Sequence, residues 1–111
     1  MGFIAAEIAE EIGVKVKPVV EAVKRHDADL ANQIYHAAKS VVLQVPEGGR
    51  RFGKDCNDSF RIGAGSCAEL MAAIRFAVAW GYCPPQPELL SLCDRELAIL
   101  WKLEHAPPRR G

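Results

Sequence analysis

Residues 54–81 read KDCNDSFRIGAGSCAELMAAIRFAVAWG, and the reading of this stretch decides the fold. Taken at alternating spacings of four and three, it yields Cys56, Phe60, Gly63, Cys67, Leu70, Ile74, Ala77 and Gly81, every one apolar or small. That is the seam of a helix packed lengthwise against other helices. In its middle lies Gly63-Ala64-Gly65-Ser66-Cys67-Ala68, a run with almost no side chains. A mid-helix glycine costs about 1 kcal/mol relative to alanine. The pair therefore predicts close approach by another backbone, which only small residues permit.

Upstream, Leu30, Ile34, Ala37, Val41 and Val45 form a second stripe, widened by Ala31, Ala38 and Val42. They predict a helix from about Leu30 to Gly48, with Asp27 or Asp29 as its N-cap. Pro46 is expected to bend its last turn and Gly48-Gly49 to stop it. A hairpin centred on Arg51 pairs residues whose numbers sum to about 102 in an antiparallel bundle. Ala37 and Ala38 then face Gly63 and Gly65, and His36 falls near Ser66. Further back, Ile4, Ile8, Ile12, Val16, Val19 or Val20, and Val23 repeat at helical spacing, with a kink or break expected at Pro18.

Downstream, Cys83-Pro84-Pro85-Gln86-Pro87 interrupts the chain, and a last helix runs from about Pro87 to His105. Its apolar residues cover more than the single stripe a surface helix needs. Leu97, Leu100, Trp101 and Leu103 are therefore expected at an interface between subunits. The predicted fold is all-α, an antiparallel up-down four-helix bundle, with residues 1–106 as one domain and 107–111 as a mobile tail.

In 111 residues, 14 basic and 14 acidic side chains cancel, which removes the simplest argument for nucleic-acid binding and leaves only a local patch. The apolar start Phe3-Ile4-Ala5-Ala6 runs into Glu7, Glu10 and Glu11, so no signal-peptide core forms. Ala6 stands where N-myristoylation after Met1-Gly2 requires Ser or Thr. The apolar run from Leu70 to Tyr82 carries Arg75 and is too short to span a bilayer. A cytoplasmic protein is expected, with no membrane partner. Cys56, Cys67, Cys83 and Cys93 match no metal spacing and are expected as buried thiols, with Cys83 and Cys93 the one intrachain pair to check.

Gln33, Ala37-Ala38, Ser40-Val41, Pro46-Glu47-Gly48 and then Phe60-x-Ile62-x-x-Gly65-Ser66-x-x-Glu69-Leu70 resemble the four-helix bundle proteins. Some members are encoded by intervening sequences in bacterial large-subunit ribosomal RNA genes. The chain is also similar to the accessory proteins of diversity-generating retroelements. The resemblance covers about Leu30 to Leu103, and Gly65-Ser66-x-x-Glu69-Leu70 is its most specific portion. It implies a four-helix subunit that assembles into a ring-shaped homopentamer. In the retroelement branch it implies binding of a reverse transcriptase and nucleic acid through a basic surface. Where the family has Asn-Ile-Ala-Glu-Gly, this chain has Gln44-Val45-Pro46-Glu47-Gly48.

Gly63-x-Gly65-x-x-Ala68 formally matches a dinucleotide fingerprint, but that motif acts between a strand and a helix N-terminus, and here it falls mid-helix. No Glu meets a His three residues on, so the di-iron pattern of helical bundles is missing. No metal and no cofactor are expected. Ser66 and Glu69 share a face, yet mid-helix amides are already bonded and offer no oxyanion hole. Glu47 reads as a solvated charge, as a partner for Arg50, Arg51 or Arg61, or as a ligand-binding group. Arg50, Arg51, Lys54 and Arg61 gather around Phe52 at one end of the bundle, a patch that a fivefold ring would repeat. The leading expectation is a non-enzymatic homopentameric scaffold or adaptor binding RNA or an acidic protein there. The alternative is a small-ligand-binding protein or enzyme using polar groups around Glu47 and Ser66.

Overall fold

Asp27 starts the first long helix of the core: its extended backbone and side-chain oxygen cap that helix, Oδ1 accepting from the Leu30 amide at 2.9 Å. The computed structural model describes residues 3–107 and 110. Five helical segments follow in order: α1 (Ile4–Lys15), α2 (Lys17–Lys24), α3 (Ala28–Arg50), α4 (Gly53–Ala79) and α5 (Pro87–Glu104). Val16 alone separates α1 from α2, so four helical rods pack together, and no strand occurs among the described residues. Of the expected tail, Pro108, Arg109 and Gly111 lie outside the described residues, as do Met1 and Gly2.

The break near Pro18 falls two residues early. Pro18 sits in the first turn of α2, where its missing N–H has no intrahelical acceptor to lose. Gly48 and Gly49 do not stop α3, which passes through Pro46 and both glycines to Arg50. The chain instead turns at Arg51 and Phe52, both extended, and restarts at Gly53 with φ +62°. The two helical glycines make room for rings. A Cβ on Gly48 would lie 2.5 Å from Phe60, and one on Gly49 would lie 2.9 Å from Phe3. Those rings meet edge-on, with centroids 6.0 Å apart.

At its far end α4 closes as the spacing predicts. Gly81 has φ +73°, its amide donates to the Val78 carbonyl at 3.0 Å, and the Tyr82 amide donates to Ala77 at 2.9 Å. This paired stop satisfies carbonyls that the last turn leaves free, in a conformation that favours glycine. By length and composition α4 is long and apolar enough to cross a membrane, unlike the shorter run from Leu70 to Tyr82. Its inward stripe of Cys67, Leu70, Ile74 and Ala77 is nonetheless fully buried within the bundle.

The predicted stripes supply the core: Ile8, Ile12, Val19 and Val23 from α1 and α2, and Ile34, Ala37, Ala38, Val41 and Val45 from α3. From α5 come Leu89, Cys93 and Leu100. At about 25 cal/mol per Å² of apolar surface removed from water, this burial is the main force closing the bundle. The register of α3 on α4 differs from the predicted one. Ser40 meets Ser66, Val45 lies against Gly63, and Gly48 lies against Phe60, each a turn or more beyond the arithmetic of a hairpin centred on Arg51.

Candidate functional site

Four expected partner-binding cations follow directly from the α3–α4 turn. Glu47, in the last turn of α3, holds two of them: Arg51 Nε donates to Oε2 at 2.9 Å, and Arg50 Nη1 lies 3.7 Å from Oε1. Arg61 pairs with Asp58 one turn earlier on α4, at 3.3 Å. Lys54 has no ion pair among the described residues. Glu47, Asp55 and Asp58 thus offset most of the four cations, leaving a rim with a weak positive field. Phe52 stands half-exposed among them. Of the readings open for Glu47, ion pairing with Arg50 and Arg51 is the one observed.

The expected helix-contact residues divide. Ala37, Ala38, Gly48 and Gly63 are buried, and a Cβ on Gly63 would press on Val45 at 3.2 Å and Leu100 at 3.6 Å. Gly65 does not belong with them. It faces outward, and a Cβ there would meet nothing within 4 Å. Two glycines two residues apart sit about 200° apart around a helix, so one packing face cannot hold both. Ser66 pairs with Ser40, hydroxyl to hydroxyl at 2.6 Å, rather than with His36, whose ring lies against Tyr35. Glu69 is exposed. Ser66 and Glu47 are not brought together, since Glu47 is held at the turn by its arginines.

Leu100 also moves out of its expected role. It is fully buried against α4 and belongs to the subunit core. Leu97 and Leu103 are half-buried beside it, and Trp101 is exposed with its ring stacked on His105 at 4.2 Å.

Three features were missed by the reading of the sequence. A groove of about 480 Å³ runs between α3 and α4, lined by Asp27, Asp29, Gln33, Glu69 and Phe76 among others, with no cation among the described residues of its lining. Beyond it, Phe76, Trp80, Tyr82 and His26 form a ladder of rings, with successive centroids 5.6, 6.3 and 5.0 Å apart. The signal was present: Phe76 and Trp80 lie one turn apart on the α4 face opposite the seam.

The second is Asn57, whose Nδ2 donates to the carbonyls of Glu104 and Ala106, both at 3.0 Å, closing the end of α5. The third is Glu96, fully buried on the stripe between Cys93 and Leu100. Its spacing fits that stripe, but a reading of the last helix from its apolar residues alone passes over it.

All four cysteines are free, and the close pair is Cys67 with Cys93 rather than Cys83 with Cys93. Cys67 Sγ donates to the Cys93 carbonyl at 3.2 Å. Pairing with Cys93 and burial push the Cys67 thiol up, which keeps it protonated and unreactive. Among the described residues no three His, Cys, Asp or Glu side chains are grouped to hold a metal ion. Comparison with known proteins finds no family model, no curated protein and no solved structure that matches this chain.

Proposed function

We propose that this chain is a non-enzymatic, cytoplasmic scaffold or adaptor. Its subunit is an antiparallel up-down bundle that associates with copies of itself into the homopentameric ring implied by its resemblance to the four-helix bundle proteins. Pairings in which one residue number rises as the other falls support the antiparallel arrangement: Ser40 with Ser66, Val45 with Gly63 and Gly48 with Phe60 for α3 and α4, and Cys67 with Cys93 and Gly63 with Leu100 for α4 and α5.

The observation that carries self-association is the outward face of α4. Ile62, Gly65, Glu69, Ala72, Phe76 and Trp80 follow one another at spacings of three and four, all exposed, with Trp80 64% accessible. Gly63 is compensated by close packing inside the subunit. Gly65 is not, and its helix penalty of about 1 kcal/mol gains nothing until another surface approaches. Large apolar groups beside a bare stretch of helix suit the close packing of a second copy. The basic rim of Arg50, Arg51, Phe52, Lys54 and Arg61 is then repeated around the assembly and receives RNA or an acidic protein by avidity.

Sedimentation equilibrium tests this reading. Wild type is expected at five subunits in the micromolar range, and Gly65→Leu at one, with helical circular dichroism unchanged. A wild-type monomer would remove self-association, and a wild-type dimer would remove the ring.

A further inference from the structure

Glu96 occupies the one place in α5 where a charge is hardest to keep. Its stripe is Leu89, Cys93, Glu96 and Leu100, and it is 0% exposed. Neither Oε1 nor Oε2 has a hydrogen-bond partner among the described residues. Buried carboxylates in folded proteins are ordinarily paired or hydrogen-bonded, because an isolated anion in an apolar interior is strongly disfavoured.

The helices packed around Glu96 supply no relief. From α4 the titratable neighbour is Cys67, itself a buried thiol. On α5 the neighbours are Cys93, one turn before, and Arg95, whose exposed guanidinium is the single cation among the described residues that acts on the carboxyl. The buried residues of α1 are Ala5, Ile8, Ala9 and Ile12, and those of α3 are likewise free of charge. Lys15 of α1 reaches α5 only at its start, 3.9 Å from Glu88.

We propose that Glu96 is a proton-operated latch: as the neutral acid it lets α5 close on the bundle, and as the carboxylate it drives α5 to part from α4, uncovering Cys67 and Cys93. Desolvation fits this geometry, pushing the carboxyl up to about 7 against the smaller opposing pull of Arg95. The latch therefore operates between the carboxyl's ordinary value of 4.5 and about 7, where changes of pH shift the population of the open form, and it levels off above. It acts within one subunit and is independent of whether subunits assemble.

The full-length protein tests it through its own thiols. A pyridyl disulfide probe, with peptide mass spectrometry, reads the labelling rates of Cys67 and Cys93 in wild type and in Glu96→Gln. Comparison at each pH cancels the intrinsic pH dependence of thiol chemistry. The ratio of wild-type to Glu96→Gln rates is expected to rise about 30-fold between about pH 5.5 and about pH 8.5, from the shift of the Glu96 titration on opening. Should the buried amide of Gln prevent folding, Glu96→Leu is the non-titrating reference. A ratio that stays flat across this range overturns the latch. So does a carbon-13 carboxyl titration in which no glutamate of the folded protein titrates near neutrality.

Discussion

The hydroxyls of Ser40 and Ser66 lie 2.6 Å apart and share one proton-donating contact across α3 and α4. This pair fixes which turn of α3 meets which turn of α4 more sharply than the apolar stripes do, since a stripe of small residues tolerates sliding. Removing one partner leaves the other hydroxyl unsatisfied, while removing both does not. Ser40→Ala and Ser66→Ala are each expected to lower stability by about 1 kcal/mol, and the double variant by no more than either alone. A double-mutant cycle in urea denaturation measures the coupling, and additive losses would show that the two hydroxyls act independently.

The glycines of this hairpin should respond in opposite directions. Gly65→Ala adds a Cβ in open space and improves helix propensity, so monomer stability is expected to rise by about 1 kcal/mol. Gly48→Ala drives a methyl into the Phe60 ring and is expected to lower stability by about 1–3 kcal/mol through overpacking. Thermal denaturation under conditions that keep the protein monomeric separates the two, and loss of stability in Gly65→Ala would place that residue in a packed contact.

Stability should fall with rising pH wherever Glu96 governs it. The unfolded chain holds this carboxyl near 4.5 and the folded chain near about 7, so the native state binds the extra proton. The Glu96 contribution is therefore most favourable below about pH 4.5, declines between there and about 7, and is flat above, a loss of roughly 3 kcal/mol in all. Glu96→Gln removes that slope. The difference between wild-type and variant unfolding free energies, followed against pH, isolates it from the exposed carboxylates, and a difference that does not change with pH would refute it.

RNA binding at the turn should be weak and salt-sensitive. Two of the four cations share Glu47, so each subunit offers little net charge and affinity depends on repetition. Arg50→Glu with Arg51→Glu is expected to abolish binding of a labelled single-stranded RNA in fluorescence anisotropy, leaving assembly intact. Phe52→Ala should weaken it further than loss of charge explains, since exposed rings stack on bases. Identical salt titrations for wild type and the double Glu variant would remove RNA as a partner.

How far the sequence predicted these features depended on what each residue must satisfy. Periodicity located every long helix to within a few residues, because the apolar stripes of α3, α4 and α5 are dictated by burial. The Gly81 stop was legible, and the cap was narrowed to Asp27 or Asp29, because a cap and a helix stop are local events. The register of α3 on α4 was not, because small residues such as Ala37 and Gly65 fit either face until rings claim particular glycines. Phe3 and Phe60, far apart in sequence, turned Gly48 and Gly49 from a stop into packing sites. Glu96 was invisible for the opposite reason: its spacing was right, and only its charge argued against the core.

Asn57 carries a consequence for the order of events in folding. Its amide joins carbonyls 47 and 49 residues further along the chain, so it cannot form until α4, the proline-rich loop and α5 are all in place. The Ser40–Ser66 contact spans 26 residues and closes a simple hairpin. Longer loops close at greater entropic cost, so the hairpin is expected to form in the transition state and the Asn57 clasp after it. Asn57→Ala should therefore leave the refolding rate almost unchanged and accelerate unfolding, making this residue a determinant of how long the native state lasts rather than how fast it is reached.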